Sequence, residues 1–308
     1  MQYGDKKIIL DNYKAMCRYV DYLVSTSENY IRTKQAYGDH NPISETPEDV
    51  TNTALCAYVT ELMANMARVI GEEEDAAYFA SVCAEYKNAW QTAFVKENGS
   101  VECWTQTAYT LGLQFGLFDD KQEMAAEHLV TCVDYIDSHL NTGYIGTQFI
   151  LPTLVDNGKT EKAYELLEQT TYPSWIYQVQ HGATTVYERW NSYQEQEDGT
   201  YLLQGSLNHC GLGSVNEFLF RYVLGIEADA QNPGFKHIIL QPAIGGSLSF
   251  AKGSYESVYG TIVSEWEKTE SGVTYHAVIP ANTTATLLLP NGECMELESG
   301  EHIIQIEQ

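Results

Sequence analysis

The sequence predicts a mainly α-helical domain followed by a small all-β domain. Three observations predict it: helical patterns follow one another up to about residue 230, Asn232-Pro233-Gly234 breaks the pattern, and short runs of β-forming residues follow the break. At 308 residues the chain suits two domains, drawn here as 1–230 and 231–308. Hydrophobic residues make up 44% of it, enough to bury a sizeable core.

The helical part reads as a series of hairpins. Thr46-Pro47-Glu48-Asp49 is a helix start, with Thr46 as the N-cap and Pro47 in the first turn. The helix that follows places Ala54, Ala57, Tyr58, Leu62, Met66 and Val69 on one face, and Gly71 ends it. Further helices are expected over 7–26, 73–95, 105–116, 121–140, 147–156, 160–169 and 208–224. Short connections make antiparallel neighbours. No fixed-length repeat is visible, which favours a closed or curved stack over a regular solenoid. Two longer irregular stretches, 29–46 and 171–206, stand out. The second is rich in Tyr and Trp, which disordered segments avoid, and reads as an ordered functional loop.

The C-terminal part has strand patterns at 236–241, 247–256, 259–268, 272–280, 284–289 and 301–307. Val273, Tyr275, Ala277 and Ile279 alternate with Thr274, His276 and Val278, and Asn291-Gly292 marks a turn. This is the pattern of a β-sandwich.

Composition narrows the function. Asp and Glu number 42 against 17 Lys and Arg, a formal net charge of −25. A surface that negative repels phosphates, which excludes nucleic acid and anionic membranes as favoured partners. No apolar leader and no transmembrane stretch is visible. The seven cysteines are scattered without a CxxC pair, as expected of reduced thiols in a cytoplasmic protein. No Cys/His cluster at ligand spacing calls for a metal, and no motif calls for a cofactor.

The densest chemistry lies in 172–190. Tyr172-Pro173-Ser174-Trp175-Ile176-Tyr177 precedes a run in which Glu188 and Arg189 are flanked by Tyr187 and Trp190. Glycoside cleavage needs two carboxyl groups across the scissile bond and aromatic walls to hold the sugar, and Glu188 suits one of those roles. A Glu188–Arg189 charge pair that only orders the loop accounts for the same residues. Ser206-Leu207-Asn208-His209 stands before a glycine-flanked apolar helix, where polar groups either face a ligand or cap. Tyr37-Gly38-Asp39-His40 lies in the other long stretch, and Asp39 suits either a sugar hydroxyl or an Asx turn.

The runs GATTVYERW (182–190), SLNHCGLGSVNEFLFRYVLGI (206–226) and NPGFKHIILQP (232–242) resemble the C-terminal part of bacterial α-L-rhamnosidases of glycoside hydrolase family 78. YGD at 37–39, QTAYTLGLQFGL at 106–117, TGYIGTQFILPTL at 142–154 and YPSW at 172–175 extend the resemblance over the whole chain. It implies an (α/α)6 toroid followed by a β-sandwich, and inverting hydrolysis of terminal α-L-rhamnose from glycosides. It places the general base on Glu188, with sugar contacts at Asp39, Trp175, Tyr187, Trp190, Asn208 and His209. Two departures bear on activity. The family's upstream D-E-R segment, which carries the general acid, is not in this sequence, so the toroid is expected to be incomplete. His40 and Tyr187 stand where Trp is common. The missing segment sets three expectations side by side: a fragment of a longer hydrolase, a sugar-binding homologue without turnover, or an assembly piece. In the last, a homodimer or an upstream segment covers the open helical face at Tyr13, Met16, Tyr19, Val20 and Leu23.

Overall fold

The computed structural model describes residues 2–34, 37–196 and 198–307. They form two compact units, one of Lys6–Gly213 and one that runs from Ser214 onward and takes in the start of the chain. No helix among the described residues is long and apolar enough to cross a membrane.

The first unit is helical. Its elements are α1 (Lys7–Ser25), α2 (Glu48–Ile70), α3 (Glu73–Phe94), α4 (Gln106–Gln114), α5 (Gln122–Asp134), α6 (Tyr144–Asp156), α7 (Thr160–Leu167) and α8 (Trp175–Gln180), then a hairpin of β1 (Tyr193–Glu195) and β2 (Tyr201–Leu203). α1 packs on α2, α2 on α3, α4 on α5 and α6 on α7, as short connections favour, and α4 packs also on α2 and α6. Val20 of α1, Met63, Ala64 and Ala67 of α2, and Ala76 and Phe79 of α3 make one core cluster. The small residues of α2 let α3 approach closely. Farther along α3, buried Trp90 donates its indole N–H to the Val50 carbonyl at 2.9 Å and meets Phe118 edge to face.

Several local expectations change here. Thr46 does not cap α2: Pro47 holds the cap position, and the Thr46 hydroxyl pairs with Thr105 at 2.7 Å. The expected face of α2 is buried at Ala54 and Ala57 but open at Leu62 and Val69. Leu62 and Met66 instead line an apolar groove with Met16, Tyr19 and Val20 of α1. The stretch 171–206 holds α8 and the hairpin, whose turn is marked by Asp198-Gly199. The helix expected over 208–224 runs without a gap over 211–223, but with changing pitch: a 3-10 turn at Gly211–Ser214, α9 (Val215–Phe218) and a π turn at Leu219–Val223.

The second unit is a β-sandwich of two four-stranded sheets. One has the order β10 (Gly300–Glu307), β7 (Gly272–Ile279), β6 (Gly260–Thr269), β5 (Phe250–Ser257); the other has β3 (Ile226–Ala228), β4 (His237–Leu240), β8 (Thr284–Leu288), β9 (Cys294–Leu297). All pairs are antiparallel except β4 with β8. Alternation buries Ile262, Ser264 and Trp266 of β6 and Tyr275, Ala277 and Ile279 of β7. β3 and β9 are short strands without an alternation signal in the sequence.

The first unit ends upstream of the Asn232-Pro233-Gly234 break because residues 214–224 belong to the sandwich. Trp266 donates to the Val223 carbonyl at 2.7 Å, and Ser264 to the Leu224 carbonyl at 2.6 Å.

Candidate active site

Two loop segments of the helical unit clamp together around Glu188. The Glu188 amide donates to the Ser206 carbonyl at 2.9 Å, and the His209 amide to the Val186 carbonyl at 2.8 Å. The Thr185 hydroxyl donates to the Leu207 carbonyl. One rung farther out the Gln204 amide reaches the Ser192 carbonyl at 2.9 Å, and the hairpin continues from there. The clamp gives Glu188 a fixed backbone although it lies in no regular element.

The side chain is fixed as well. Glu188 Oε2 accepts the Ser206 amide at 2.7 Å, while Oε1 lies 3.8 Å from Arg189 Nε. That Arg189 N–H is buried and makes no hydrogen bond of its own, so it presents an unpaired donor beside Oε1. The Ser206 amide holds the Glu188 carboxyl below its ordinary value. Partial desolvation opposes this, and the charges of Arg189, His209 and His40 reinforce it. Glu188 is therefore a carboxylate at neutral pH, able to accept a proton and unable to give one.

His209 sits on the neighbouring turn. Its Nδ1 accepts the Gly211 amide at 3.0 Å, which leaves the proton of the neutral ring on Nε2. Asn208 is exposed on the same turn, where Ser206 Oγ accepts its amide at 3.1 Å. Ser206 thus closes a local turn and caps no helix.

The aromatic residues have more than one role. Trp190 is buried and gives its indole N–H to the Thr142 carbonyl at 3.0 Å. Trp175, half-buried at the start of α8, gives its own to Leu212 at 2.9 Å and meets Trp190 edge to face at 5.4 Å. Tyr187 is buried too. Both indole N–H groups are already bonded, so half-buried Trp175 offers ring carbon, not a hydrogen bond, and Trp190 supports it from within the core.

Asp39 is occupied by protein donors. It is buried, and its carboxylate accepts the amides of Gly143 (2.8 Å), Ile145 (2.9 Å) and Gly146 (3.1 Å), plus the Thr107 hydroxyl. It is neither an Asx turn nor an open ligand: it caps the N-terminus of α6 from a distant loop. Burial raises its carboxyl above the ordinary value, and those four donors pull the other way.

Three residues unassigned in the sequence reading join the site. His40, next to Asp39, and Tyr144, the first residue of α6, bring their rings to 5.5 Å of each other, and Tyr144 lies 5.3 Å from the His209 ring. Gly205, at φ +68°, stands where a Cβ would fall 2.8 Å from Glu188 Oε2. Tyr144 was visible in TGYIGT, and Gly205 immediately before Ser206; nothing local distinguishes either. Among the described residues no group of three metal-binding side chains occurs.

A model of the bacterial α-L-rhamnosidase six-hairpin glycosidase domain matches residues 1–223, and a model of the bacterial α-L-rhamnosidase C-terminal domain matches 225–303. The chain belongs to the bacterial α-L-rhamnosidase family. It is 35% identical over 290 residues to an α-L-rhamnosidase of Streptomyces avermitilis, covering 94% of this chain and 28% of that one. It is 32% identical over 309 residues to one of Formosa agariphila, covering 96% and 33%. The chain thus spans about a third of the length of these relatives. The Streptomyces avermitilis α-L-rhamnosidase complexed with L-rhamnose superposes with a TM-score of 0.92 at 33% identity, over 99% of this chain and 31% of that one. The Aspergillus terreus α-L-rhamnosidase does so with a TM-score of 0.90 at 28% identity, over 99% and 37%. In this rhamnosidase-family chain the six-hairpin match takes in Glu188, His209, His40 and Tyr144 alike.

Proposed function

We propose that this chain carries the water-activating half of an inverting α-L-rhamnosidase site, acting on terminal α-L-rhamnose of a glycoside. Glu188 is the general base: it removes a proton from water as the water attacks the anomeric carbon from the face opposite the leaving oxygen. The observation that carries this reading is the anchoring of Glu188. Oε2 is held by the Ser206 amide, so Oε1 is the oxygen that takes the proton, and the ionised state that a base needs is the one favoured. His209 Nε2 is a donor left over for a sugar hydroxyl. Trp175 supplies the apolar wall, with the buried Trp190 packed against it.

The leaving oxygen needs a proton from a carboxylic acid, which the family's D-E-R segment provides and this sequence lacks. Asp39 does not replace it, since each of its oxygens already accepts two hydrogen bonds. An aryl rhamnoside with an acidic phenol avoids the need, because such a leaving group departs as its anion. The test is p-nitrophenol release from p-nitrophenyl α-L-rhamnoside at high protein concentration. Turnover that falls about 10²–10⁴-fold in Glu188→Gln supports the proposal. Calorimetric binding of L-rhamnose with no turnover by the intact chain overturns hydrolysis and leaves sugar binding alone.

A further inference from the structure

The tyrosine of TGYIGT at 142–147 meets several residues of the site at once. Tyr144 meets three segments that are far apart in sequence. Its backbone amide donates to the His40 carbonyl at 3.0 Å, and its hydroxyl accepts from Asn41 Nδ2 at 2.7 Å. Its ring stands edge to face with the His40 imidazole (5.5 Å, 74°) and tilted over the His209 imidazole (5.3 Å, 30°). On the His209 side the chain passes so close that a Cβ on Gly211 would lie 2.6 Å from the ring. The amide of that same Gly211 sets the His209 tautomer.

The ring's own position is fixed from behind. Asp39 caps α6 at Ile145 and Gly146, so the first turn of that helix, and Tyr144 with it, is tied to the loop that carries His40 and Asn41. One buried carboxylate thereby sets a helix start, and the helix start sets a phenol between two imidazoles.

We infer that Tyr144 is the positioning residue of this site: it holds the imidazoles of His40 and His209 beside the Glu188 carboxylate. The groups whose charge acts on that carboxylate are Arg189 from its own loop, His209 from the 206–213 segment and His40 from the 37–43 loop, and Tyr144 of α6 in turn senses Glu188. Tyr144 is the ring that both imidazoles share, while Tyr37 also meets His40 edge to face at 5.4 Å and the Gly211 amide holds His209 Nδ1. The inference rests on the proposed function for its catalytic meaning, though the positioning itself is measurable without any sugar.

The test is NMR of the ligand-free chain. Imidazole lines are assigned by their loss in His40→Gln and His209→Gln, and the Glu188 carboxyl carbon by its loss in Glu188→Gln. In Tyr144→Leu both imidazole lines should move, and the Glu188 titration midpoint should rise because the two imidazoles that lower it are no longer held in place. Tyr144→Phe keeps the ring and should keep the midpoint near that of the wild type. Where Tyr144→Leu fails to fold, Gly211→Ala pushes a methyl into the ring and should raise the midpoint in the same way. A folded Tyr144→Leu or Gly211→Ala protein with the wild-type midpoint overturns the inference. Addition of L-rhamnose to the wild type tests the other half: movement of the His40 and His209 lines supports their place in the sugar site. Its absence overturns the proposed function while the midpoint still decides the positioning.

Discussion

Glu188 and Ser206 hold each other twice: the Glu188 amide donates to the Ser206 carbonyl at 2.9 Å, and the Ser206 amide donates to the Glu188 carboxylate at 2.7 Å. The Glu188 side chain is therefore oriented by the same residue that orients its backbone. This is preorganisation without a helix or strand beneath it.

That relationship depends on Gly205. Its φ of +68° is one that side-chain-bearing residues avoid, and a Cβ there would meet Glu188 Oε2 at 2.8 Å. Gly205→Ala should cost about 1–3 kcal/mol of stability, read by thermal denaturation. Hydrolysis of the aryl rhamnoside should fall well beyond what the lost folded fraction explains, because the carboxylate itself is displaced. Retention of full activity would show that Oε2 has room to move.

The pH dependence has a definite sign. The folded-state value of Glu188 is lowered, so its contribution to stability is present above the unfolded value and is lost as the pH falls through the folded one. The same ionisation should set the acid limb of kcat/KM, below the ordinary glutamate range. An acid limb above that range would contradict the arrangement described.

Asp39 has the opposite sign. Burial raises its folded-state value, so the stability it contributes is present below the unfolded value and declines as the pH rises through the folded one. Asp39→Asn should remove that dependence. It should also destabilise the chain by about 1–3 kcal/mol, because an amide turns an N–H group toward backbone donors that now bond to a carboxylate oxygen. Urea titrations across the acid range would measure both.

Trp190 should behave as a core residue. It is 2% exposed and its indole N–H satisfies the Thr142 carbonyl. Trp190→Ala should cost about 3–5 kcal/mol. Trp190→Phe should cost about 1–3 kcal/mol through the carbonyl left unpaired. If chemical denaturation finds either variant as stable as the wild type, Trp190 is a surface platform after all.

The helix series and the alternating strands were legible because periodicity is a property of neighbouring residues. Gly71 ends α2 as its position indicates, with φ +84°. Thr46 misled because a tertiary partner, Thr105, takes the hydroxyl that would otherwise cap the helix. The helix expected over 208–224 begins only at Gly211, and Gly211 and Gly213, which weaken a helix interior, fall in its opening 3-10 turn. The hairpin of β1 and β2 has strands too short to show alternation, so only Asp198-Gly199 marked it.

By itself the sequence determined the order of helical hairpins before strands, the family through its long motifs, and Glu188 as the carboxylate among aromatic residues. Those depend on residue type and spacing along the chain. Only the tertiary structure decided that Asp39 caps α6, that Trp190 is buried, and that His40 and Tyr144 share the site with His209. Each of these depends on which distant segment supplies the partner: Gly143 to Asp39, Thr142 to Trp190, Asn41 to Tyr144. A hydrogen bond between residues 48 to 104 positions apart leaves no local period to read.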